Sequence, residues 1–161
     1  MRSLSPVEAA ALVAVAGSVL ASALPVFVRN LHASRLTEPL DGLGRIGARA
    51  TALAASRAAE YAYPGTVGLT PAEVARADQV MDAPGTWDHP TWRELEFGFT
   101  VPHCFSFAFE SDNQPGLARF RALAHGDLDG DGLLSTFEIS GQSPDGGEPV
   151  VFPMEIHREV E

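Results

Sequence analysis

Residues 4–28 read LSPVEAAALVAVAGSVLASALPVFV, and the fold expected for this chain turns on what that stretch becomes. From Ala9 to Val28 no side chain is charged; Glu8 stands before the run and Arg29 ends it. At about 1.5 Å per residue, a helix of this length spans roughly 30 Å, the depth of a bilayer's hydrocarbon core. Small residues recur along it (Ala9, Ala10, Ala11, Ala14, Ala16, Gly17, Ser18, Ala21, Ala23), which suits close helix–helix approach. An unpaired carboxylate at Glu8 is costly in lipid, so a partner for it is expected. Beyond the run, Leu31, Leu36, Leu40, Leu43, Ile46, Ala50 and Leu53 repeat at helical spacing to about Tyr61. Pro39, Gly42 and Gly44 are the points where such a helix would kink or loosen.

Composition separates the two ends of the chain. Residues 1–59 carry six Arg against Glu8, Glu38 and Asp41, whereas the remainder carries five Arg against 18 acids. With 161 residues, 45% hydrophobic and 20% charged, the chain is neither a disordered acidic tail nor a polytopic membrane protein. A net charge of −10, with no Lys at all, excludes nucleic acid as an expected partner, because phosphate needs a basic face. Cys104 is the single cysteine, which rules out an intrachain disulfide.

The front of the chain resembles a known family. A short basic leader (Met1-Arg2-Ser3), then Leu4-Ser5-Pro6-Val7-Glu8, a span of small and aliphatic residues, and Pro25 within it are similar to the N-terminus of type IV pilins and pseudopilins. In that family a prepilin peptidase cuts before the first residue of the mature helix, which is then N-methylated. A Glu stands fifth in the mature chain and a Pro commonly twenty-second; counting from Leu4 makes Glu8 fifth and Pro25 twenty-second. The resemblance implies processing between Ser3 and Leu4 and a filament assembled through the N-terminal helix. Glu8 would there meet the N-terminal amine of a neighbouring subunit, a pairing that makes a buried carboxylate tolerable and sets axial register. It also implies the partners: other pilin-like subunits in a homo- or hetero-filament, the prepilin peptidase, and the bacterial inner membrane before assembly. The destination would be a periplasmic or extracellular filament of the type IV pilus or type II secretion pseudopilus kind. Two other readings stand beside this one. Ala21-Ser22-Ala23 is a small-x-small site at which signal peptidase would release a secreted or tethered calcium-binding module, and a plain single-span anchor is the other.

The expected fold is α+β: a leader (1–3), a long N-terminal α-helix (4–60, membrane-spanning over 4–28), and an acidic head (61–161) whose small antiparallel β-sheet packs on that helix. Val67-Gly68-Leu69 reads as a link, and Thr70-Pro71-Ala72-Glu73 as a capping box opening a short helix. Asp82–Pro90 reads as loop and Thr91–Phe97 as a turn of helix. Strands are expected over Phe99–Glu110, where Phe105, Phe107 and Phe109 alternate with Ser106 and Ala108, and over Arg119–Ala124, Leu134–Ser140 and Val150–Ile156. Ser111–Gly116 and Gly141–Pro149 read as turn and loop. Trp87 and Trp92 suit sealing a small core, and His89, His103 and His125 are too scattered for a metal site. No Ser/His/Asp spacing, nucleophile elbow or Gly-rich phosphate loop is present, so no enzyme is expected.

One motif carries chemistry. Asp127-Leu128-Asp129-Gly130-Asp131-Gly132-Leu133-Leu134-Ser135-Thr136-Phe137-Glu138 fits D-x-D-x-D-G-x5-E, the spacing of a calcium loop. In that reading Asp127, Asp129 and Asp131 give one oxygen each, the Leu133 carbonyl one more, Ser135 a water-mediated contact and Glu138 a bidentate pair. Hard oxygen donors in a flexible ring suit Ca²⁺ better than Mg²⁺. The segment after Phe137 is too short and β-like for the exiting helix of an EF-hand, so a solitary Ca²⁺ loop between strands is expected. The alternative is an Asp/Gly hairpin turn with solvated carboxylates and Glu138 on a strand's exposed face. Pseudopilins with a calcium-stabilised C-terminal loop offer a looser likeness here.

Overall fold

In the computed structural model, residues 36–157 are described throughout, with positions 6, 7, 10, 13–15, 17–19 and 21 before them. The chain divides into two units, Met1–Leu36 and Thr37–Glu161. In the first, the described positions are helical, and the Ser18 hydroxyl donates to the Ala14 carbonyl (2.9 Å) one turn back. Ser3, Leu4, Glu8 and Pro25, the residues singled out for processing and assembly, lie outside the described residues.

The second unit begins with α1 (Thr37–Ala54). Pro39 sits in its first turn, where backbone N–H groups have no intrahelical partner, and Glu38 places an acid at the positive end of the helix. Pro39 therefore opens this helix instead of kinking it. The helix ends at Ala54, followed by a 3₁₀ turn at Ala59–Tyr61. The unbroken helix expected over 4–60 is thus corrected among the described residues: Leu36 lies in a turn, and the helix that follows it ends at Ala54. Among the described residues no helix is long and apolar enough to cross a membrane, which corrects the membrane-spanning helix expected over 4–28.

The apolar stripe reads as expected within α1: Leu43, Ile46, Ala50 and Leu53 are buried, while Leu40 faces solvent. Gly42 is a packing residue, not a loosening one. A Cβ there would lie 2.6 Å from Cε1 of Phe107, so the missing side chain is what lets the helix settle on that ring.

The helix packs on a six-stranded antiparallel sheet in the order β1 (Val67–Thr70), β2 (Phe105–Gln114), β3 (Leu117–Gly126), β4 (Ser135–Pro144), β5 (Val150–Val151); β6 (Glu155–His157) pairs with β4 as well. The segment 67–69, expected as a link, is edge strand. β2 and β3 form a ten-pair hairpin from Phe105↔Gly126 to Gln114↔Leu117, closed by Pro115-Gly116 with Gly116 at φ +86°. Proline at the first corner and a left-handed glycine at the second is a type II turn. The polar residues Ser111–Gln114, expected as turn, continue the strand because they pair with Leu117–Phe120. β4 likewise runs on through Gly141, opposite Phe120, to Pro144. The last expected strand is broken between β5 and β6.

The helix-facing side of the sheet carries Phe105, Phe107, Phe109, Phe120, Phe137 and Ile139, all buried. Ser106 and Ala108 are buried on the other side, so β2 is covered on both faces at its start. A second helix, α2 (Pro90–Glu94), is capped by His89, whose Nδ1 accepts from Thr91 N–H (3.3 Å), and it buries Trp92. Trp87, Trp92, Phe97, Phe99 and Phe107 meet with ring centroids 5.0–6.5 Å apart, as expected of core-sealing tryptophans.

Tyr63 packs edge-on against Phe120 (4.9 Å), and its buried hydroxyl has no hydrogen-bond partner. Burial pushes its phenol up to about 12 from 10.0. The neutral form is favoured in the folded state, so this contribution is complete below the unfolded value and is lost as pH climbs from 10.0 towards 12. Tyr63→Phe should accordingly be neutral or stabilising by up to about 1 kcal/mol at neutral pH, because it removes an unsatisfied group and keeps the ring. Urea unfolding reads this; a loss above about 1 kcal/mol would show that the hydroxyl has a partner after all.

Candidate metal centre

The acidic loop joins β3 to β4 at the end of the sheet where β3 finishes in Gly126. Asp127 is 2% exposed and ends in two hydrogen bonds: Oδ1 accepts from Gly130 N–H (2.9 Å) and Oδ2 from Gly132 N–H (3.2 Å). Asp129 Oδ1 accepts from Asp131 N–H (3.1 Å) and Asp131 Oδ1 from Leu133 N–H (2.7 Å). Each aspartate thus holds backbone two, three or five residues ahead, and Gly130 (φ +78°) and Gly132 (φ +88°) supply the left-handed corners those turns require. One carboxylate oxygen from each of Asp127, Asp129 and Asp131 lies within 4.8 Å of the others. A triad of carboxylate oxygens repels itself at that spacing. It also matches the donor chemistry of a hard divalent cation, so the residues present fit the group.

The remaining expected ligands are placed elsewhere. Leu133 is exposed in the loop, and Ser135 is fully buried as the first residue of β4, opposite Gly126. Glu138 is three residues into β4, opposite Leu123 and Glu155, with Oε2 3.8 Å from Nη1 of Arg121. In an EF-hand a helix swings this Glu back over the ion; here an extended strand carries it away at about 3.3 Å per residue. The structure therefore brings together Asp127, Asp129 and Asp131, and sets Glu138 against a cross-strand arginine that Glu110 also contacts at 2.8 Å.

A neighbour not evident in the sequence closes the loop's other side. Residues 71–83, here the strap, run past it, and Ala77 N–H donates to Asp127 O (2.8 Å). The capping-box helix expected at Thr70–Glu73 does not form. Thr70 Oγ1 accepts from Trp92 Nε1 (3.0 Å) and donates to Gly68 O (3.0 Å), which leaves it engaged away from the Glu73 amide, and the Thr70–Pro71 peptide is cis. An open cleft of about 690 Å³ lies between strap and loop, lined by Leu69, Glu73, Val74, Arg76, Asp127 and Leu134. The strap is fastened again at its far end, where Val80 and His103 exchange backbone hydrogen bonds (2.9 and 3.1 Å).

His125, half-buried opposite Ser106 on the face of the sheet away from α1, bonds Thr136 Oγ1 through Nδ1 (2.8 Å), and burial lowers its titration below the usual histidine range. No family model, curated protein or solved structure matches this chain.

Proposed function

We propose that this chain is a non-catalytic structural subunit whose α+β head is clamped by Ca²⁺ at the Asp127–Asp131 loop, and that copies assemble through the apolar N-terminal segment into a filament of the type IV pilus or type II secretion pseudopilus class. The observation that carries the clamp is the convergence of three carboxylate oxygens within 4.8 Å, one of them from the nearly inaccessible Asp127. A divalent cation there would offset two of the loop's three negative charges and hold β3, β4 and the strap at one point, since the Asp127 carbonyl is also the acceptor for Ala77. The head works by packing, not by chemistry.

Support for assembly comes from the register of Leu4, Glu8 and Pro25 and from the head that follows it, an amphipathic helix laid on an antiparallel sheet. The test is the intact mass and first residue of the protein purified from cell envelopes. A chain that begins at N-methylated Leu4 is the expected result. A chain that begins at Leu24 would overturn assembly and leave a secreted cation-binding module, the reading favoured by Ala21-Ser22-Ala23.

A further inference from the structure

Away from the acidic loop, His103 is buried with both ring nitrogens facing oxygen: Nδ1 is 2.8 Å from Phe105 O, and Nε2 is 2.7 Å from Asp82 Oδ2. A backbone carbonyl only accepts, so Nδ1 carries a hydrogen. Asp82 Oδ2 also accepts from Trp87 Nε1 (2.5 Å), and an indole nitrogen only donates. A 2.7 Å contact between Nε2 and Oδ2 needs a hydrogen between them, and beside an ionised carboxylate that hydrogen belongs to Nε2, which makes the ring a buried imidazolium.

The titratable groups that face it are Asp82 from the strap and Glu38 from α1, whose Oε1 lies 3.9 Å from Nδ1. Phe99 stacks on the ring at 4.4 Å and Trp87 tilts against it at 6.0 Å, so its other walls are apolar. Glu38 is also the acceptor for the backbone N–H groups of Cys104 (3.0 Å) and Phe105 (2.8 Å). One cation thus sits where α1, the strap and the start of β2 meet. Behind the strap is a cavity of about 310 Å³ whose walls include Val74, Met81, Asp82, His103 and Cys104, and Cys104 is 2% exposed.

We propose that the protonated His103 ring is a pH-sensitive latch that holds the strap closed over Cys104. When the ring loses its Nε2 proton, a lone pair faces the Asp82 carboxylate, the two acids lose the cation between them, and the strap lifts. The latch is shut while the ring keeps both hydrogens and opens when Nε2 loses its own.

Cys104 reports the state of the latch, as it is the only thiol. The full chain is treated with a dipyridyl disulfide, and the labelling rate is divided by that of the same chain unfolded in urea at the same pH, which removes the ordinary growth of thiolate. The expected result is a rise of about tenfold in this ratio between about pH 5 and about pH 8, and a flat ratio in His103→Gln, whose side chain does not titrate. The ¹⁵N shifts of the ring read its protonation directly and decide the matter even if the variant does not fold. A flat ratio in the native chain, an equal rise in His103→Gln, or a neutral ring at about pH 5 would each overturn the latch.

Discussion

Phe107→Ala should cost the head about 3–5 kcal/mol of unfolding free energy, the range for deleting a fully buried phenyl ring. Phe107 is 0% exposed and is one of the points at which the two layers touch. Its Cε1 occupies the space where Gly42 has no Cβ, and its ring lies 5.0 Å from Phe97 and 5.4 Å from Phe99. Few neighbours can collapse into the vacated volume. Gly42 has no side chain to offer, and Phe97 is held by Trp87 and Trp92 on its other sides. The cavity term should therefore be near its upper end. Against a total of roughly 5–15 kcal/mol for a native domain, such a loss removes about a fifth of the stability or more. The measurement is urea unfolding of the full chain followed by tryptophan fluorescence, with the midpoint falling and the slope unchanged. Leu40→Ala, on the exposed side of the same helix, is the control and should stay within about 0.5 kcal/mol. A loss below about 1.5 kcal/mol at Phe107 would mean that the helix is not seated on this ring.

The same residue shows how far the sequence could be read. The Phe105-Phe107-Phe109 alternation announces a strand with a buried face, and the Leu43-Ile46-Ala50-Leu53 spacing announces the helix that covers it. Both signals are local and strong, and both elements are present. Strand ends were less legible because their composition is polar while their pairing is not local. Ser111–Gln114 looks like turn until Leu117–Phe120 is placed opposite, and Gly141 looks like loop until it is seen across from the Phe120 ring. Pro39 and Gly42 misled for a related reason. Either residue weakens an isolated helix, but a first turn has no hydrogen bond for proline to remove, and a helix pressed on an aromatic ring needs the glycine. The His103 cluster was not legible at all. Glu38, Asp82 and His103 come from three separate stretches, and no spacing rule joins them. The acidic loop was half legible. Its aspartates converge as the motif requires, whereas Glu138 depends on a flanking helix that an extended β4 replaces.

That division decides what calcium should do. Saturating Ca²⁺ should raise the melting temperature of the full chain on the order of 10 °C, since a ligand at one hundred times its dissociation constant adds about 2.7 kcal/mol. Two aspartates separate the cation from the fold. Asp131 is exposed, and its carboxylate serves only the Leu133 amide within the loop. Asp131→Asn should abolish the calcium increment while leaving the calcium-free chain as stable as before or slightly more so, because one of three mutually repelling charges is gone. Asp127→Asn should abolish the increment and also weaken the calcium-free chain by about 1–3 kcal/mol. An amide there accepts from only one of the Gly130 and Gly132 N–H groups and turns its own donor on the other, in a site that is 2% exposed. Glu138→Gln should leave the increment in place, since its carboxylate faces Arg121 on the sheet. Loss of the increment in Glu138→Gln would mean that binding pulls the start of β4 back towards the loop and completes the twelve-residue ring. A melting temperature indifferent to millimolar Ca²⁺ would reduce the loop to a hairpin turn, its three aspartates occupied only with their own backbone.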